Sequence, residues 1–140
     1  SYTAKYASHF YGPFRDAVGA DGLGKSYLPQ QKTDKKTYQM HPANRLEAVH
    51  IAKQHLFEGA DCLMVKPAMS YLDVLDQLHH TCQAPIFAYQ VSGEFAMLSQ
   101  FAKNMQTDFT SLLYESLIAC KRAGASAILT YGAITMAEAL

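Results

Sequence analysis

The sequence predicts an α/β fold in which short parallel strands alternate with helices. Three observations carry this. Four short segments have strand character: 1–6, 62–65, 86–91 and 127–131. The middle two are nearly continuous apolar runs, as expected of parallel strands covered on both faces. Helical periodicity fills the intervals, and that alternation implies parallel pairing with right-handed crossovers.

The first strand ends at or near Lys5. Residues 17–40 are polar, rich in Gly, Lys and Gln, and read as a long loop. A loop of that length in a compact domain is usually functional or mobile. Residues 42–57 place Leu46, Val49, Ala52 and Leu56 at helical spacing. Pro42 suits a first helical position, where its missing N–H costs nothing, and Gly59 is the expected stop. The strand 62–65 runs into Lys66-Pro67. Ser70 then precedes Leu72, Leu75 and Leu78, and Asp73 three residues on makes a start signal close to a capping box. Two further helices are expected over 94–103 and 110–122. The second carries Lys121 and Arg122 in its last turn and Gly124 just beyond, which suits the helix dipole and a left-handed cap. The strand 127–131 and a short helix close the chain. Four such units would make half of a (β/α)₈ barrel. An open doubly wound sheet is the rival, weakened because no G-x-G-x-x-G follows any strand.

Bulk properties narrow the function. The chain has 140 residues, enough for one domain with a core, and is 49% apolar and 17% charged. Its 12 basic and 12 acidic residues cancel, and no basic stripe suggests nucleic acid. No apolar run approaches the roughly 20 residues needed to cross a bilayer, and no signal peptide is visible. Cys62, Cys82 and Cys120 are odd in number and widely spaced, which favours reduced thiols over a local zinc site. The histidines show no i, i+4 pair with a third partner; His50 and His55 come nearest, one residue too far apart. The chain opens at Ser1, already in strand character, so the N-terminus is expected to be a cut edge.

Reactive residue types collect at the carboxyl ends of the four strands: Lys5, Lys66, Ser92 and Tyr131. In a β/α barrel, catalytic residues come from this face. A lysine where a buried strand meets a loop is partly desolvated, which penalises the ammonium and lowers its pKa. A second lysine nearby acts in the same direction by repulsion. A neutral lysine attacks carbonyls and forms Schiff bases. Arg15 can grip a carboxylate through its fork of donors. Each residue also has a plainer reading. Lys66 and Lys5 can snorkel, Ser92 can cap a helix, and Tyr131 can pack at a rim.

Five stretches then match a known family. They are residues 1–8, residues 10–16, Thr37-Tyr38-Gln39-Met40, Met64-Val65-Lys66-Pro67-Ala68, and the run from Tyr89-Gln90-Val91-Ser92-Gly93 to Met97. Arg122-Ala123-Gly124-Ala125 adds a weaker sixth. On these the chain resembles the porphobilinogen synthase (5-aminolevulinate dehydratase) family, with a bacterial flavour, from Ser1 to about Tyr131. Only the tail, 132–140, is expected to depart.

The resemblance implies a TIM (β/α)₈ barrel, of which this chain covers about the last four β/α units. It implies a lyase that condenses two 5-aminolevulinate molecules to porphobilinogen in tetrapyrrole and heme biosynthesis. By the same resemblance Lys66 is the Schiff-base lysine of one substrate site and Lys5 the second active-site lysine. Ser92 and Tyr131 match residues that bind the first substrate's carboxylate. Arg15, Lys35 and Gln39 match the other site's group, and Tyr11 and Phe14 line the pocket. Lys35 departs from a frequent arginine, keeping charge but losing the fork.

The family's chain is more than twice as long, so residues 1–140 are expected to be one domain, the C-terminal half of a barrel whose upstream half is missing. Zinc or magnesium, where the family uses it, would be bound by that half, and none of this segment's cysteines falls on a metal position. An allosteric magnesium site is not expected, because Ile51 stands where many members have a glutamate. The resemblance further implies a homo-oligomer (an octamer for the full-length family), located in the cytoplasm or a plastid stroma. The 140-residue chain alone is expected to be inactive. Two other functions compete: another Schiff-base enzyme such as a class I aldolase, which needs no second lysine, and a non-catalytic half-barrel oligomerisation module.

Overall fold

The computed structural model describes residues 1–17 and 38–140. Four strands, β1 (Ala4–Lys5), β2 (Leu63–Lys66), β3 (Ile86–Tyr89) and β4 (Ala127–Leu129), form one parallel sheet in the order β1-β2-β3-β4. Each strand therefore lies beside the next in sequence, as in a stretch of β/α barrel. A doubly wound sheet would reverse its strand order at a switch point, and none is present among the described residues. The helices are α1 (Gly12–Ala17), α2 (Leu46–Phe57), α3 (Leu72–Thr81), α4 (Ser92–Met105), α5 (Phe109–Arg122) and α6 (Ala133–Ala139).

Side chains alternate across each strand, so the sheet has two unlike faces. Ala4, Leu63, Val65, Ile86 and Ala88 are buried in a cluster with Ala48 and Ala52 of α2 and Val74, Leu75 and Leu78 of α3. Each large member contributes roughly 1.5–3 kcal/mol by leaving water. The alternate residues Lys5, Met64, Lys66, Phe87 and Tyr89 are only half-buried. They share the opposite face, because register pairs Lys5 with Lys66 and Met64 with Phe87.

Several boundaries differ from expectation for identifiable reasons. The first strand keeps only two residues. Tyr6 N–H still reaches Lys66 O at 2.9 Å, while the outer edge of the strand is taken by Met40, whose N–H donates to Lys5 O at 3.0 Å. Helix α2 starts at Leu46, well past Pro42. Asn44 supplies the start signal instead: its Oδ1 accepts from Glu47 N at 3.2 Å and its Nδ2 donates to Glu47 Oε2 at 2.7 Å. Ser70 does not cap α3. It sits inside a 3-10 turn, Met69–Tyr71, because the Glu94 carboxylate holds the N–H of Met69 at 2.8 Å. At α5 the cap is Asp108, accepting from Ser111 N at 2.7 Å. Gly59 and Gly124 take left-handed φ of 95° and 99° after their helices, as the sequence suggests.

Candidate active site

The register does the main work at this site. Lys5 is the Cα partner of Lys66, and Val65 is the partner of Ala88, which brings Tyr89 next to Lys66 in the same row. The Lys66 ammonium lies 3.7 Å from the centroid of the Tyr89 ring, 5.4 Å from that of Tyr2 and 5.7 Å from that of Tyr11. The Lys5 ammonium lies 5.5 Å from the same Tyr2 ring. Burial pushes the Lys66 amine below its ordinary pKa, and the charge of Lys5 pushes it further. The ring faces act against this, because a π-face favours a cation. The amine is thus partly dehydrated yet held over aromatic surface.

The segment carrying Tyr11, Phe14 and Arg15 is fastened to the strand ends at three points. The buried Tyr11 hydroxyl reaches both Tyr6 O at 3.0 Å and Lys66 O at 3.1 Å, and burial raises that phenol's pKa. Ser92 Oγ accepts from Phe14 N at 3.1 Å. Gly93 lets the chain pass close, since a Cβ there would sit 2.4 Å from Phe10 O. The Arg15 guanidinium lies 5.2 Å from the Tyr11 ring centroid, and its Nη2 is buried with no partner among the described residues. Phe14 is half exposed, at the rim more than in a wall.

Gln39 lines a hollow of about 450 Å³ together with Tyr2, Lys5, Tyr38 and Glu47. Its Oε1 is also buried without a partner among the described residues. Tyr131 lines a second hollow of about 350 Å³ with Tyr89, Leu129 and Thr130. Lys66 touches a ring from each hollow, Tyr2 from the first and Tyr89 from the second. Lys35 lies outside the described residues. Ser92 is the first residue of α4 and not its cap: Val91 precedes it, and Glu94 Oε2 accepts from Val91 N at 2.8 Å.

Three residues at this site were not singled out from the sequence. Tyr89 was legible, because period-two alternation in Ile86-Phe87-Ala88-Tyr89 puts it on the face of Lys66. Its phenol is pushed up by burial and then by the neighbouring Tyr131 phenol. Glu94 is fully buried and accepts from the backbone of Val91, Met69 and Ala68. Burial raises its pKa, and those N–H groups act in the opposite direction. Nothing local in the sequence marks a first-turn glutamate as buried. Gln90, likewise fully buried, gave no signal beyond its place after an apolar strand.

Among the described residues, no three His, Cys, Asp or Glu side chains gather where they could hold a metal ion. None of the helices among them is long and apolar enough to cross a membrane.

Comparisons with known proteins bear on this arrangement. The family model described as delta-aminolevulinic acid dehydratase matches residues 1–139, so the match runs through the tail that was expected to depart. A delta-aminolevulinic acid dehydratase of Rhodobacter capsulatus is 49% identical over 138 residues, covering 99% of this chain and 40% of that protein. The Escherichia coli protein of the same name is 46% identical over 138 residues, with the same coverage of 99% and 40%. A chloroplastic one from Physcomitrium patens is 49% identical, over 99% of this chain and 30% of its own. A crystal structure of the Toxoplasma gondii enzyme in complex with the reaction product porphobilinogen superposes with a TM-score of 0.89 at 45% identity. It covers 99% of this chain and 38% of that one. The chain thus spans about two fifths of the length of the bacterial relatives it matches.

Proposed function

This chain belongs to the delta-aminolevulinic acid dehydratase family, and from that premise we propose that it supplies the amine-bearing part of a site condensing two 5-aminolevulinate molecules to porphobilinogen. In this reading it forms the carboxyl-terminal four β/α units of the barrel. Lys66 attacks the ketone of one substrate and Lys5 engages the second. Ser92 and Tyr131 receive the carboxylate of the Lys66-bound substrate. Arg15, Gln39 and Lys35 receive the other substrate, with Tyr11 behind them and Phe14 at the rim.

The observation that carries this is the pairing of Lys5 with Lys66 on one face, with the Lys66 pKa lowered by burial and by Lys5. A like charge beside a half-buried amine is a known route to a neutral nucleophile. The unpartnered Arg15 Nη2 supports an anionic ligand group and the unpartnered Gln39 Oε1 a donor on the same ligand, since buried polar atoms seldom go unpaired. A single-lysine aldolase would leave Lys5 without a task. A non-catalytic half-barrel would leave both the lowered amine and the orphaned Arg15 nitrogen unexplained. Any zinc or magnesium would be held outside this segment, and a homo-oligomer in the cytoplasm or a plastid belongs to the same reading.

Trapping tests it. The chain is incubated with 5-aminolevulinate and borohydride, and the adduct is mapped by mass spectrometry. The reduced adduct is expected on Lys66 and absent from Lys66→Ala. An adduct confined to other lysines would overturn the assignment.

A further inference from the structure

Tyr131 is half exposed, and among the described residues its ring pairs with that of Phe95. The Phe95 contact is loose, with centroids 6.1 Å apart. A rim tyrosine with so little packing needs its backbone fixed if its hydroxyl is to meet a ligand in one place. The residues on either side of it provide that. Thr130 Oγ1 accepts from Gly132 N at 3.1 Å, closing a small turn around Tyr131. The same hydroxyl donates to Gln90 Oε1 at 2.6 Å. Gln90 N–H also donates to Leu129 O at 2.9 Å, so Gln90 grips the end of β4 by backbone and side chain together.

The Gln90 amide cannot swing. Its Nε2 donates to Ser116 Oγ at 3.0 Å, and Ser116 Oγ donates in turn to Leu113 O at 2.6 Å. Every donor in this chain points one way, from Gly132 through Thr130 to Gln90 and from Gln90 through Ser116 to the α5 backbone. A buried network with all its members paired holds a single geometry. A glutamine side chain at full burial is uncommon, and a purely structural contact between β3 and β4 could be apolar at less cost.

We propose that Gln90 is a positioning residue for the substrate site: through Thr130 it holds Tyr131 where its hydroxyl meets the substrate carboxylate. This rests on the reading of Tyr131 given under the proposed function. Gln90 touches no substrate itself. Its effect passes through the Thr130 hydroxyl.

The experiment reads the tyrosine directly. The chain is labelled with ¹³C-tyrosine, and the Tyr131 ring signal is identified by its loss in Tyr131→Phe. Thr130→Val and Gln90→Met should move that signal toward the value of a free, exposed tyrosine, while Thr130→Ser, which keeps the hydroxyl, should leave it in place. Levulinate, a keto acid with the substrate's carboxylate, is then titrated. Its binding should weaken roughly tenfold or more in Thr130→Val, the loss of about one hydrogen bond to a charged group. It should recover in Thr130→Ser and lose nothing further when Thr130→Val is combined with Tyr131→Phe. Should Gln90→Met fail to fold, Thr130→Val decides. An unmoved Tyr131 signal in a folded Thr130→Val chain overturns the proposal, whatever levulinate does. If the signal moves as expected but the unaltered chain ignores levulinate, the carboxylate role of Tyr131 falls, and with it the functional half of this inference.

Discussion

Lys5 and Lys66 are direct partners across the β1–β2 pair, so two ammonium groups leave one face of the sheet at the same height. Their repulsion is the second cause, after burial, of the lowered Lys66 pKa. Lys5→Met should therefore raise the Lys66 pKa and slow its acylation near neutral pH. Competitive labelling with acetic anhydride across a pH series, read by mass spectrometry at Lys66, measures this. Unchanged labelling would mean that burial alone sets the amine.

Tyr89 predicts the opposite sign. Its ring face 3.7 Å from Lys66 Nζ favours the ammonium by about 0.5–2 kcal/mol. Tyr89→Leu should lower the Lys66 pKa further, by roughly half a pH unit or more. The same labelling series checks it, and a rise would show that the ring acts by shielding the amine from water instead.

Gly93→Ala should loosen the Arg15 segment. The new Cβ would lie 2.4 Å from Phe10 O and 2.7 Å from Phe10 Cα, and backbone cannot yield as a flexible side chain does. The expected cost is about 1–3 kcal/mol, as for other overpacked sites. Thermal unfolding gives the cost, and faster amide exchange at Phe14, whose N–H donates to Ser92 Oγ, reports the loosening.

Glu94→Ala should destabilise the chain by about 3 kcal/mol or more, because buried N–H groups of Val91, Met69 and Ala68 lose their acceptor at roughly 1–3 kcal/mol each. The pH dependence has a definite sign. The Glu94 carboxyl holds its proton more tightly folded than unfolded, since its pKa is raised above the ordinary 4.5. The native state then binds more protons, and stability falls as pH rises from 4.5 through the raised value. Urea midpoints measured upward from about pH 4 should show this component in the unaltered chain and lack it in Glu94→Gln.

The sheet bears on the behaviour of the purified 140-residue chain. β4 has no strand beyond it among the described residues, and Met64 and Phe87 lie half-buried on the lysine face. An open edge beside apolar surface favours association. Sedimentation should show dimers or larger species, and porphobilinogen formation should fall far below a typical enzyme rate of about 1 per second or more. A monodisperse monomer turning over at that rate would contradict this.

Local sequence signals decided the fold class and one end of the chemistry. Apolar runs of strand length between amphipathic helices require parallel pairing, and a lysine closing one of those runs is desolvated by its position. Lys66, Lys5, Ser92 and Tyr131 were each marked by their place at a strand end, and the family resemblance gave them their expected roles. Local signals failed where a distant group competed for the same backbone. The start suggested by Ser70 and Asp73 gave way to a carboxylate from Glu94, far along the chain. Pro42 was a plausible helix start until Asn44 and Glu47 closed on each other. Register, burial and partner choice needed the tertiary structure, because each depends on which strands lie side by side. Only that pairing set Lys5 against Lys66, slid the Tyr89 ring under the amine, and sealed Glu94 and Gln90 where water cannot reach them. Period two in a strand tells which face a residue takes; the residue opposite is fixed only when the sheet forms.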